Sequence, residues 1–158
     1  LPDDHSEEIG SGDLQIRPII ERIVRPQITA YAHCDLPCGI YDPAQARIEA
    51  ESVKAVQTRY QDADNFKGPN QTAEDYKARA LNIKEQRADL VKHHLWVLWT
   101  DYFTPAHLEK YPQLHSMFWT ATKEAGASKK SQDPAQGQKL LDAIAEIDKV
   151  FWETKQPA

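Results

Sequence analysis

Cys34 and Cys38 are the only cysteines in the 158-residue chain, and His33 directly precedes the first of them. One imidazole and two thiols therefore fall within the six residues His33-Cys34-Asp35-Leu36-Pro37-Cys38. Thiolate and imidazole are soft to borderline donors, suited to zinc, copper or nickel. By spacing alone, two cysteines this close are more often a local disulfide or two buried thiols than a metal site. A structural zinc site takes about four side-chain ligands. No second cysteine pair exists, and His93, His94, His107 and His115 have no zinc-like spacing with this segment. A metal held by the segment alone must recruit backbone nitrogen. An amide nitrogen beside two thiolates favours square-planar Ni(II) or Cu(II) over tetrahedral Zn(II).

The rest of the chain has to position that segment. Apolar residues make up 41%, enough for a core, and no apolar stretch is long enough to span a bilayer. The net charge of −5 comes without a basic block, which argues against nucleic-acid binding. Residues 33–41 hold Pro37 and Gly39 and read as a loop. Asp42-Pro43 suits a helix start, with Asp at the cap and Pro at the first helical position. That helix is expected to reach about Gln61, with Ile48, Ala55, Val56 and Tyr60 along its apolar side. Residues 62–71 contain Asp, Asn, Gly and Pro and read as a connection. Thr72 with Asp75 three residues on is a capping-box-like start for a long helix that stops before Pro105. A broken third helical region is expected to end near Gly126. Asp133-Pro134 then starts a last helix with Leu140, Leu141, Ile144, Ile147 and Phe151 on one face. Trp96, Trp99, Trp119 and Trp152 read as core or subunit contacts. No stretch alternates like a strand. The expected fold is all-α, an antiparallel four-helix bundle with an N-terminal metal-hook loop.

Residues 1–32 differ from the remainder. Residues 1–15 are acidic with Gly and Ser and read as disordered, and residues 16–27 as a short helix limited by Pro18 and Pro26. The apolar stretch from Ile16 to Val24 is broken by Arg17, Pro18, Glu21 and Arg22, so a secretory leader is a weak reading, although Ala30-Tyr31-Ala32 looks like a small-residue cleavage site.

The run His33-Cys34-Asp35-Leu36-Pro37-Cys38-Gly39-Ile40-Tyr41 matches the pattern His-Cys-x-x-Pro-Cys-Gly-x-Tyr at every fixed position. That pattern is the nickel hook, and here the chain resembles the nickel superoxide dismutases. Asp42 to Ser52, Lys84-Glu85-Gln86-Arg87, Lys92-His93-His94-Leu95, Trp99-Thr100-Asp101-Tyr102-Phe103 and Ile147 to Glu153 resemble the same family. The connection 62–71 is longer than the family pattern.

The resemblance implies an enzyme that converts superoxide to dioxygen and hydrogen peroxide by Ni2+/Ni3+ cycling, with one nickel per subunit. It implies that a processing protease removes residues 1–32 and leaves 33–158 as the working domain with His33 at its start. Nickel is then held by the amine and imidazole of His33, the amide nitrogen and thiolate of Cys34, and the thiolate of Cys38. While Ala32 is joined to His33 that amine is an amide and a poor ligand. Trimming moves the net charge from −5 to −2. By the same resemblance Asp35 fixes the loop, Glu49 accepts a hydrogen bond from the His33 imidazole, and Arg87 holds Glu49. Tyr41 and Tyr102 line the access to the metal. Without the resemblance, Glu49 with Arg87 reads as an interhelical surface ion pair, and the tyrosines as bundle packing. The family implies a homohexamer, and the location is expected to be cytoplasmic, with no membrane partner. Two other readings compete: a nickel- or copper-binding carrier without turnover, and a helical interaction module with a Cys34–Cys38 disulfide.

Overall fold

The computed structural model of the chain describes residues 39–155, and every regular element among them is helical. Helix α1 spans Ala44–Gln61. Asp42 Oδ1 accepts the N–H of Ala44 at 2.8 Å, and Pro43 already has helical angles (φ −64°, ψ −13°), which is the expected Asp-Pro start. One turn, α2 (Ala63–Phe66), interrupts the connection that the sequence left irregular. Asp62 closes that turn by accepting from Asn65 Nδ2. Helix α3 (Ala73–Val97) opens with a full capping box: Thr72 Oγ1 accepts from the Asp75 N–H at 3.1 Å, and the Asp75 carboxylate accepts from the Thr72 N–H at 3.4 Å. It runs directly into a π-helical turn, Leu98–Tyr102. Short α4 (Pro105–Lys110), α5 (Leu114–Lys130) and α6 (Pro134–Lys155) follow. Asp133 Oδ1 accepts the Ala135 N–H at 2.9 Å at the head of α6.

Contacts between helices fix their sense. Tyr41, just before α1, meets Tyr102 at the end of the π turn, while Glu49 meets Arg87 further back on α3. Asp89 pairs with Lys129, and Trp99 packs on Phe118. Lys54 reaches Gln138, and Gln57 reaches Ser131. Rising numbers on one helix meet falling numbers on its neighbour each time. With the tight α5–α6 connection, α1, α3, α5 and α6 form an antiparallel four-helix bundle. Its core includes Val91, Leu95, Leu114, Ile144, Ile147 and Phe151, all essentially inaccessible.

Two sequence expectations are corrected, and the reading of the tryptophans as core or subunit contacts is narrowed. The buried side of α1 is Ala46, Ala50, Val53 and Gln57, whereas Ile48 is 52% exposed and Ala55 is exposed too. Small side chains on α1 allow close packing against α3 and α6, so size misidentified the face. The third region does not stop at Gly126; α5 continues to Lys130. A glycine costs roughly 1 kcal/mol in a helix relative to Ala, and flanking Ala, Ser and Lys tolerate it. Trp96, Trp119 and Trp152 are 57%, 61% and 48% exposed and are not core residues, while Trp99 is half-buried against Phe118 and His115. The expectations for residues 1–38 lie outside the described residues.

The end of the bundle away from Tyr41 is closed by polar groups. Lys84 is buried on α3 and donates from Nζ to the Ser131 carbonyl at 2.6 Å, just past the C-terminus of α5. The Gln57 side-chain amide donates to the same oxygen at 3.1 Å. Burial, which penalises the charged form, holds the Lys84 ammonium below the ordinary lysine range. Beside this cluster α6 crosses α1 at Gly137. A Cβ there would stand 2.8 Å from the Cα and Cβ of Lys54 and would also strike Gln57 Oε1. Gly137→Ala is therefore expected to destabilise the fold: overpacking costs about 1–3 kcal/mol, against about 1 kcal/mol regained in helix preference. Urea unfolding tests this, and an unchanged or higher midpoint would refute the tight crossing.

Candidate metal centre

The chain enters the described region at Gly39, whose φ of +69° lies in the left-handed region that suits glycine. This bend follows Cys38 directly and feeds Tyr41 and the capped start of α1. His33, Cys34, Asp35 and Cys38 lie outside the described residues. Tyr41, Glu49, Arg87 and Tyr102 lie within them, and the structure brings these four together as two pairs.

The first pair is ionic. Arg87 Nη1 on α3 donates to Glu49 on α1, at 3.2 Å to Oε1 and 3.1 Å to Oε2. The Glu49 side chain is 14% exposed and that of Arg87 45%. Glu49 is five residues into α1, about 7 Å along its axis from Ala44. One guanidinium nitrogen spanning both oxygens leaves carboxylate lone pairs for a second donor.

The second pair is aromatic. The Tyr41 and Tyr102 rings are 5.6 Å apart and tilted by 51°. Tyr102 closes the π turn, in which the Phe103 N–H reaches back to the Leu98 carbonyl at 3.1 Å. In an α-helix, residues five apart point about 140° away from each other. The i→i+5 closure of the π turn brings Leu98 and Phe103 both into the core. Tyr102, next to Phe103, is left at the margin of the core. Its ring stacks on His107 at 5.6 Å and packs on Phe151 at 4.5 Å, and its hydroxyl lies 2.6 Å from Thr154 Oγ1. The Lys155 ammonium stands 4.8 Å from its ring centroid. His107 is itself fixed by accepting the Thr104 N–H on Nδ1 at 3.2 Å. The sequence did not point to Thr154 or Lys155, because nothing in a last helical turn marks a partner 52 residues away.

Among the described residues no group of three or more His, Cys, Asp or Glu could hold a metal ion. His93 and His94, whose rings are 5.4 Å apart, belong to no such group. Outside the described residues, His33, Cys34 and Cys38 offer two thiols, an imidazole and backbone nitrogen, a set of donors that suits nickel chemically.

A protein family described as nickel-containing superoxide dismutase matches residues 28–155. The chain belongs to this family. It is similar to the Superoxide dismutase [Ni] of Streptomyces coelicolor, at 56% identity over 138 residues, covering 87% of this chain and 99% of the relative. The Superoxide dismutase [Ni] of Streptomyces seoulensis is 55% identical over the same shares. Among solved structures, a native nickel superoxide dismutase superposes with a TM-score of 0.70 at 60% identity, covering 78% of this chain and all of that one. A nickel-containing superoxide dismutase with ligation of the oxidised state gives 0.71 at 58% identity, covering 79% and 100%.

For this nickel superoxide dismutase the ionic pair is expected to matter little to stability. A partly exposed pair contributes about 0–1 kcal/mol. Arg87→Gln should therefore leave the unfolding free energy within about 1 kcal/mol of the parent while lowering dismutation. A loss of several kcal/mol with full specific activity would assign the pair a structural role instead.

Proposed function

We propose that residues 33–158, freed of residues 1–32 by a processing protease, are the working form of this nickel superoxide dismutase, with nickel held by His33, Cys34 and Cys38. The observation that carries the reading is the complete His-Cys-x-x-Pro-Cys-Gly-x-Tyr run in a chain of this family. The shares of chain matched lend support. The curated relatives match 138 residues, more than the 126 of residues 33–158, whereas the solved chains, matched in full, cover only 78–79% of this one.

When bound, nickel supplies the one-electron exchange between Ni2+ and Ni3+ that lets one superoxide be oxidised to dioxygen and the next reduced to peroxide. The chain supplies the rest. Cutting before His33 turns an amide nitrogen into an amine with a free lone pair. Cys34 and Cys38 bind as thiolates, so assembly releases protons. Glu49 accepts from the His33 imidazole with the carboxylate capacity that Arg87 leaves open, which orients the ring. Asp35 fixes the loop. Tyr41 and Tyr102 line the approach and position water or small molecules there.

The homohexamer belongs to the same proposal. Trp96 and Trp119, largely exposed, line a cavity of about 460 Å³ with Trp99 and Phe118, a surface suited to subunit contact. A cytoplasmic location suits two thiols that must stay reduced. Sedimentation of the processed form is expected to give six times the subunit mass, and cell fractionation a cytoplasmic pool; a monomer, or an exported pool, would contradict either part.

A carrier without turnover would use the same hook but has no need of an oriented imidazole. Nickel titration of forms 1–158 and 33–158 tests the central reading. Tight binding and superoxide decay are expected only for the shorter form. Cys34→Ser or Cys38→Ser should abolish decay while helicity stays intact. Equal nickel affinity in both forms would refute the masked-amine reading, and binding without decay would favour the carrier.

A further inference from the structure

Thr154 makes two contacts of 2.6 Å through one hydroxyl, to the Phe151 carbonyl and to the Tyr102 hydroxyl. A threonine hydroxyl has one proton, and a carbonyl oxygen only accepts. The Thr154 proton therefore goes to Phe151. The bond with Tyr102 must then run the other way, with the phenol donating to Thr154 Oγ1. The Tyr102 proton is committed to the helix, and its oxygen is left to accept.

Phe151, Thr154 and Lys155 stand at i, i+3 and i+4 on α6 and share one helical face. Each grips Tyr102 differently: Phe151 by ring packing at 4.5 Å, Thr154 by the hydrogen bond, and Lys155 by its ammonium 4.8 Å from the ring centroid. His107 stacks on the same ring with only 24° between planes. Packing and stacking fix where the ring lies; among the described residues it is Thr154 that fixes where the hydroxyl proton points. Tyr102 is half-buried, so the partner of its hydroxyl decides whether it meets an incoming molecule as donor or acceptor.

We propose that Thr154 is a positioning residue for superoxide dismutation, holding the Tyr102 hydroxyl as a hydrogen-bond acceptor toward the substrate channel. The inference rests on the reading of Tyr102 as a residue of that channel. It follows that Tyr102 receives a hydrogen bond from water or from a protonated product and is not the proton donor to peroxide. Without Thr154 the phenol proton would be free to rotate, and the tyrosine would present either face of its hydroxyl.

The test compares Thr154→Val, Thr154→Ser, Tyr102→Phe and the double variant Thr154→Val/Tyr102→Phe in the nickel-loaded enzyme, with nickel content and helicity measured for each. Thr154→Val keeps the shape and removes the acceptor, and should lower the dismutation rate roughly 2- to 10-fold, the range of one net hydrogen bond. Thr154→Ser restores the hydroxyl and should return the rate to within about 2-fold of the parent, less than a net hydrogen bond. The double variant should be no slower than Tyr102→Phe, because the two residues act through one bond. A parental rate in Thr154→Val beside a slowed Tyr102→Phe would overturn the inference and leave the channel reading standing. Additive losses in the double variant, or no recovery in Thr154→Ser, would overturn it as well by making Thr154 merely structural. A parental rate in Tyr102→Phe would instead remove the channel reading itself.

Discussion

Tyr102 packs against groups from three separated stretches of chain: Tyr41 ahead of α1, His107 in α4, and Phe151, Thr154 and Lys155 at the end of α6. An antiparallel bundle requires this kind of meeting point. Its two chain ends and its middle crossover all arrive at one end, and something must join them. Here the joint is one aromatic ring supplied by the π turn. In a regular α-helix Leu98 and Phe103 would point about 140° apart, and the π turn lets both enter the core.

The other end works differently. There the neighbours are joined by Lys84 and Gln57 converging on one carbonyl, and by the bare backbone of Gly137 against Lys54. A buried ammonium is an expensive way to close a helix end, and its lowered affinity for a proton records that expense. The return is a three-helix junction with little freedom: α3, α1 and the α5–α6 connection share a single acceptor.

What could be read from the sequence was local. Asp42-Pro43, Thr72 with Asp75, and Asp133-Pro134 announced three helix starts, because a cap is a bond within a few residues. The helix faces were less legible. On α1 the apolar side chains Ile48 and Ala55 lie outside and Gln57 lies inside, since what selects the buried side is how closely α3 and α6 approach. Gly126 failed as a stop signal because the left-handed turn by which a glycine commonly ends a helix does not form there. For the site, the pairing of Glu49 with Arg87 and the presence of Tyr41 and Tyr102 came from the family pattern, and the pairs are found in contact. Thr154 was invisible, because a short-range proton preference between residues 52 apart leaves no periodic or compositional trace.

The Glu49–Arg87 pair shows how an interaction of small energy can still fix a geometry. Arg87 is almost half-exposed, so water screens it and the pair contributes little to folding. Glu49 is not so exposed, and a carboxylate at 14% exposure needs partners for its lone pairs. One guanidinium nitrogen placed almost equally from both oxygens fixes the plane of the carboxylate without consuming its capacity. A lysine in place of Arg87 would provide the charge on a freely rotating head, and the plane would drift. What the arginine contributes is therefore orientation, the property that the acceptor role proposed for Glu49 requires and that a ledger of stability does not register.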